Sequence, residues 1–78
     1  MPISKSQQKK LISLGARVKA IREKKGYTLD KLGELIDKER QSISRLEKGK
    51  INPSYLYLLD ICKGLSIQLT ELLKDLPE

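Results

Sequence analysis

Five polar residues between positions 40 and 48 have the types and spacing that hydrogen bonding to nucleic acid requires. On a helix turning about 100° per residue they share an arc of roughly 140°. Arginine suits the edge of guanine and glutamine the edge of adenine in the major groove. Ile43 and Leu46, the only apolar residues of this segment, lie on the opposite side. The pattern predicts a short helix that buries one face and offers base-reading groups on the other: Arg40, Gln41, Ser44, Arg45 and Lys48.

The composition argues against catalysis and against a bound metal or cofactor. The chain has no His and one Cys, Cys62. A zinc site therefore cannot be built from one chain, and acid–base or nucleophilic catalysis would lack an imidazole. We expect a non-enzymatic protein with no catalytic residues, no cofactor and no metal. Cys62 is interpreted as a small core residue, and a lone cysteine fits a reducing compartment.

Charge is distributed unevenly along the 78 residues. Residues 1–50 hold 14 of the 16 basic and 6 of the 10 acidic residues, a net charge of +8, whereas residues 51–78 carry −2. This asymmetry predicts that one side binds a polyanion, above all nucleic acid. An anionic membrane is the rival, but no stretch combines a large hydrophobic face with a Lys-rich one. Because the N-terminal residues lack the apolar core of a signal peptide, we expect a cytoplasmic protein that binds no membrane.

Hydrophobic periodicity predicts five helices and no strand. Apolar residues recur three and four positions apart, and Ser, Thr, Gly and Pro mark the ends. Residues 1–10 are expected to be a flexible or frayed N-terminus, with a basic arm as the alternative, and residues 11–76 a single domain. The predicted helices are Lys9–Lys25, Leu29–Ile36, Arg40–Lys48, Tyr55–Gly64 and Leu69–Leu76.

Several local signals place the helix ends and the packing. Thr28 and Ser54 are predicted N-caps of the second and fourth helices. Asp37 is predicted to end the second helix in the left-handed conformation. Gly33, in the middle of that helix, indicates a close approach by another helix. The fourth helix is expected to bury a stripe formed by Tyr55, Leu58, Leu59 and Cys62.

The sequence resembles the Cro/C1-type (XRE-family) helix-turn-helix proteins over about residues 11–73. The most specific segment is SISRLEKGK, residues 42–50, following such a second helix. The resemblance implies a compact, all-α, five-helix, lambda-repressor-like domain whose second and third helices form the helix-turn-helix, with the third in the major groove. The other matching residues are Leu14, Gly15, Arg17, Arg22, Lys25, Gly26, Thr28, Leu32, Glu34, Leu35, Ile36, Asn52, Pro53, Ser54, Leu58, Leu59, Leu72 and Leu73.

Carried over by position, the resemblance also implies roles for individual residues. Arg40, Gln41 and Arg45 take the base-reading places, with Ser44 beside them. Arg22 and Glu47 match an internal salt bridge between the first and third helices. The resemblance places Thr28, Lys50 and Asn52 at the DNA backbone. Independently of the resemblance, Lys31, Lys38, Ser42 and Lys48 are also expected to contact the backbone. A dimer contact is expected at Tyr57, Leu69 and Leu76, because family members commonly bind palindromic operators as homodimers.

Two functions remain open at this point. The first is a small transcriptional repressor that binds double-stranded DNA as a homodimer. The second is an antitoxin or partner-binding module that neutralises another protein and autoregulates its operon, using the leucine-rich last helix and an exposed Tyr57. Departures from the family pattern include Leu29, where Gln is usual, and the turn Asp37-Lys38-Glu39, which places two acids beside the expected DNA surface.

Overall fold

The computed structural model describes residues 2–78, and that range contains five α-helices and no β-strand. The helices are α1 Lys5–Lys24, α2 Leu29–Ile36, α3 Arg40–Glu47, α4 Tyr55–Leu65 and α5 Leu69–Leu73. Helix α1 packs against α3 and α5, α2 packs against α3 and α4, and α4 packs against α5. The predicted all-α, five-helix fold is confirmed.

Helix α2 begins and ends where the local signals place it. The Thr28 hydroxyl accepts the N–H of Lys31 at 3.0 Å, and in the same way the Ser54 hydroxyl accepts the N–H of Tyr57 at 3.1 Å to start α4. Both bonds satisfy backbone donors that have no partner within the first turn. Asp37 ends α2 with φ 56°, in the left-handed region. A cap bond spans only three residues, which is why sequence signals locate these ends well.

The N-terminal end of α1 differs from the prediction. The helix begins at Lys5, four residues before the predicted start at Lys9, so part of the segment expected to be frayed is helical. Ser4 and Gln7 form a capping box, in which each side chain accepts the backbone N–H of the other residue. The Gln8 amide then donates to the carbonyl of Gly49 at 2.7 Å and connects the added turn to the end of α3. The spacing of Ser4 and Gln7 is a sequence signature of a capping box, which here extends the helix by about one turn.

Every helix contributes to one hydrophobic core. Its fully buried members are Val18, Leu32, Ile43, Leu46, Ile61, Cys62, Leu65 and Leu72. Burial, with a smaller effect from the nearby charge of Glu71, raises the pKa of the Cys62 thiol. Cys62 is therefore a core residue, as predicted.

Two predictions about α4 and α5 are wrong. Tyr55 is 64% exposed, and α4 instead buries Ile61 and Leu65 beside Cys62. The residues at the start of α4 are apolar on most sides of the helix, so periodicity alone could not identify which side is buried. Helix α5 ends at Leu73, before the predicted Leu76. The Arg17 guanidinium of α1 donates to the carbonyls of Glu71, Leu72 and Lys74 at this end.

Two glycines allow close backbone contacts around α3. A Cβ at Gly15 would collide with the carbonyls of Leu46 and Glu47, so α1 and α3 meet without side chains between them. A Cβ at Gly33 would lie 2.5 Å from the carbonyl oxygen of Lys38. Gly33 therefore has a packing role, as predicted, but its tightest contact is with the turn after α2, and Ile43 of α3 would lie 3.6 Å from such a Cβ.

A buried ion pair joins α1 to α3. Arg22 Nε lies 2.7 Å from Glu47 Oε2, and Arg22 Nη2 lies 3.0 Å from Glu47 Oε1. Arg22 Nη1 donates to the carbonyl of Tyr27 at 2.7 Å. The two side chains are only 9% and 5% exposed. The hydrogen bond to Glu47 raises the pKa of the Arg22 guanidinium, which stays charged at any ordinary pH.

Replacing Arg22 with Ala should lower the free energy of unfolding by about 3 kcal/mol or more, because the Glu47 carboxylate would remain buried without its partner. Lys19→Ala, an exposed change on the same helix, should cost less than about 0.5 kcal/mol. Urea unfolding monitored by circular dichroism measures both. Equal midpoints for the two variants would contradict the structural role of the pair.

Candidate nucleic-acid interface

Helix α3 has one buried and one exposed face. Ile43 is 0% and Leu46 1% exposed, and both belong to the core. Arg40, Gln41 and Arg45 are exposed on the other side. The helix thus points its guanidinium and amide groups outward while its aliphatic groups fix it to the domain.

A shallow groove gathers most of the predicted DNA-contacting residues of α3. Gln41, Ser44, Arg45, Lys48 and Lys50 line it together. The lining contains three cationic side chains, an amide and a hydroxyl, and no carboxylate. It thus combines hydrogen-bonding groups that can read base edges with positive charges that attract phosphate.

Arg40 lies apart from that groove. It lines a second depression with Lys38 and four acidic residues, Asp30, Glu34, Asp37 and Glu39. Arg40 Nη1 is 3.3 Å from Asp30 Oδ2, so the base-reading candidate at the start of α3 is paired with a carboxylate of α2. Sequence reasoning missed Asp30, since no spacing rule connects residues ten positions apart on two helices.

The residues expected to contact the DNA backbone fall into separate groups. Thr28, Lys31, Lys38 and Lys48 are exposed, and the Thr28 hydroxyl is already used in capping α2. The remaining exposed members are Lys50 and Asn52. Asn52 lines a third depression with the N-terminal part of α1, including Gln7 and Lys10.

Ser42 and Tyr57 interact directly, which changes the interpretation of both. The Tyr57 hydroxyl and Ser42 Oγ are 2.7 Å apart and share a hydrogen bond. The Lys38 ammonium lies over the Tyr57 ring, 5.2 Å from its centre. Tyr57 is half-buried, so the expectation that its side chain is exposed is wrong. It contacts the first turn of α3 and the turn before it.

The other expected dimer residues are also less exposed than their neighbours. Leu69 packs partly buried against the core, and Leu76 is half-buried after the end of α5. The large apolar side chains that α4 and α5 expose are Tyr55 at 64%, Leu56 at 69% and Leu73 at 41%.

Residues 2–78 contain no group of three or more His, Cys, Asp or Glu side chains placed to hold a metal ion. None of the helices in this range is both long and apolar enough to cross a lipid bilayer.

The sequence matches a protein-family model described as helix-turn-helix over residues 18–72, well over half of the chain. The chain belongs to the helix-turn-helix family of DNA-binding transcriptional regulators. Within the matched range, α2, the turn Asp37-Lys38-Glu39 and α3 form the helix-turn-helix unit. The Cro/C1-type resemblance is confirmed.

Similar proteins support the same assignment. The uncharacterized HTH-type transcriptional regulator YgzD of Bacillus subtilis (strain 168) is 40% identical over 55 residues, which cover 70% of this chain and 83% of that protein. The restriction-modification controller protein C.AhdI from Aeromonas hydrophila has a similar structure, with a TM-score of 0.78, 29% identity, and coverage of 80% of this chain and 94% of that one.

The clp gene regulator ClgR from C. glutamicum is structurally similar over more of the chain. Its TM-score is 0.79 at 27% identity, with coverage of 94% of this chain and 87% of that one. Both structures therefore share the fold of this chain along most of their own length.

Proposed function

We propose that this helix-turn-helix regulator is a small transcriptional repressor that occupies a palindromic operator as a homodimer. The observation that carries the proposal is the arrangement of α3. Its apolar side chains are buried, and Gln41, Ser44 and Arg45 line an exposed cationic groove. The bound protein would cover promoter sequence, which is the simplest way for such a domain to repress transcription.

The proposed division of labour follows from side-chain chemistry. Arg40 and Arg45 each present a guanidinium fork that can donate two hydrogen bonds to guanine, and Gln41 can pair with adenine in the same bidentate way. Ser44 shares the groove with Gln41 and Arg45 and can donate to either kind of base. The buried ion pair of Arg22 with Glu47 holds the last turn of α3 in position but contacts no DNA.

Phosphate contacts would flank the recognition helix on both sides. The first N–H groups of α2 and α3 point along their helix axes and favour an anion there. Because the Tyr57 hydroxyl can donate to Ser42 Oγ, the Ser42 proton is left available for a phosphate oxygen. The side chains proposed for the backbone are Thr28, Lys31, Lys38, Ser42, Lys48, Lys50 and Asn52.

A homodimer would supply the contacts that one copy lacks. Helix α3 has eight residues, and a helix of that length spans only about 12 Å. Two copies reading half-sites one helical turn apart, about 34 Å, would double the base contacts. Tyr55, Leu56 and Leu73 are the exposed apolar side chains of α4 and α5, so these replace Tyr57, Leu69 and Leu76 as the proposed dimer contact.

Selection of bound sequences from random duplex DNA should yield one preferred site, and Gln41→Ala should weaken binding to it by about 1–3 kcal/mol with little effect on random duplex. Lys48→Ala should weaken binding to both duplexes equally and reduce the slope of log Kd against log salt concentration by about one unit. Fluorescence anisotropy at several salt concentrations measures these effects.

Lys63→Ala is the matched control, since Lys63 is exposed on α4 away from the recognition helix and should leave both affinities unchanged. If Gln41→Ala weakens binding equally on every duplex, Gln41 contacts the backbone instead of a base. Selection that enriches no sequence would contradict specific recognition altogether.

The homodimer can be tested separately by sedimentation equilibrium. The wild-type protein should sediment at twice its 8.9 kDa mass, and Leu56→Glu should shift it to the monomer because a charge would be buried at the contact. Ile3→Glu alters another exposed apolar side chain, on the segment before α1, and should leave the dimer intact. A wild-type monomer that binds a single non-palindromic site would overturn this part of the proposal.

A further inference from the structure

Asp30 and Arg40 form an ion pair between the two helices of the helix-turn-helix unit. Arg40 Nη1 donates to Asp30 Oδ2 at 3.3 Å, and the two side chains are 61% and 66% exposed. Asp30 lies in the first turn of α2 and Arg40 is the first residue of α3. The pair therefore connects α2 to α3 across the turn, at the N-terminal end of the helix proposed to read bases.

Stability does not account for a carboxylate at this place. Ion pairs this exposed contribute little to folding, because water and salt screen them. Glu34, Asp37 and Glu39 already make the same depression acidic. One more negative charge beside a surface that binds a polyanion weakens the attraction to phosphate. A functional effect of Asp30 must therefore be exerted through the group it holds, the Arg40 guanidinium.

We infer that Asp30 is a positioning residue that sets the base specificity of Arg40, an inference that rests on the proposed function. Only Nη1 of the guanidinium bonds to Asp30, so the edge formed by Nε and Nη2 stays free. That edge is one of the two that can donate in parallel to O6 and N7 of guanine. The carboxylate holds the planar group from one side and leaves the recognising edge available.

The same contact restrains a side chain that could otherwise bind phosphate. A free arginine at the start of a recognition helix can swing to the DNA backbone and add affinity for every sequence. Holding it to α2 lowers non-specific binding and reduces the entropy lost when it meets a base. Leu29 is partly buried against the core, so Asp30 is the residue of this turn of α2 that reaches Arg40.

The experiment is a double-mutant cycle on base discrimination. The selected duplex is compared with a variant that changes the one base pair at which Arg40→Ala abolishes preference. The ratio of the two Kd values is measured for the wild type, Asp30→Ala, Arg40→Ala and the double variant. Glu34→Ala is the matched control, because Glu34 is exposed on the same helix and lines the same depression.

Asp30→Ala should lower the discrimination ratio about three- to tenfold and should have no effect on it when Arg40 is already Ala. Glu34→Ala should tighten binding to all duplexes alike and leave the ratio unchanged, as removal of a charge alone would. A merely structural role of Asp30 would change the melting temperature and not the ratio.

The inference is overturned if Asp30→Ala and Glu34→Ala give the same discrimination ratio. It is also overturned if Asp30→Ala lowers the ratio by the same factor in the wild type and in the Arg40→Ala background. Either result leaves the proposed function standing. Arg40→Ala variants that keep full preference at every base pair overturn it as well, because Arg40 would then read no base. A wild-type protein with no preference between the selected and random duplexes contradicts the proposed function itself, and this inference with it.

Discussion

The orientation of α3 depends on the buried ion pair between Arg22 and Glu47. A buried charge that loses its partner is strongly destabilising, so the geometry of such a pair has little freedom. Both carboxylate oxygens are bonded to the guanidinium, whose third nitrogen is held by the carbonyl of Tyr27. Gly15 lets α1 approach the backbone of α3 at the same level, and Gln8 binds the Gly49 carbonyl just beyond. Three independent contacts thus fix one end of α3 against α1.

With α3 fixed in this way, the surface it presents is divided by charge. The groove along α3, from Gln41 to Lys50, is lined by cationic and polar groups, which suit phosphate and base edges. The depression at its N-terminal end is acidic, and there Arg40 is paired with Asp30. The hydrogen bond between Ser42 and Tyr57 anchors the first turn of α3 to α4. On the proposed function, base reading would use both regions of this short helix, with Arg40 beside the acidic depression and Gln41, Ser44 and Arg45 in the groove.

Local signals made much of this predictable from the sequence. The limits of α2, its Thr28 cap and the left-handed Asp37 follow from interactions among residues a few positions apart. The burial of Ile43 and the exposure of Gln41 followed from helical periodicity. Features set by tertiary contact were beyond such rules: the end of α5, where Arg17 binds its last carbonyls, and the pairs of Ser42 with Tyr57 and of Asp30 with Arg40. The Ser4 capping box is also a local signal, but the predicted start of α1 at Lys9 did not take it into account.

If α3, held by α1, enters the major groove with its polar face, its outward side chains must contact base edges. Nuclear magnetic resonance of isotope-labelled protein titrated with its selected duplex detects such contacts. The largest shift changes are expected at Gln41, Ser44 and Arg45, with intermolecular contacts between these side chains and major-groove base protons. Shift changes concentrated on α4 and α5, with α3 unaffected and free of contacts to bases, would contradict this mode of binding.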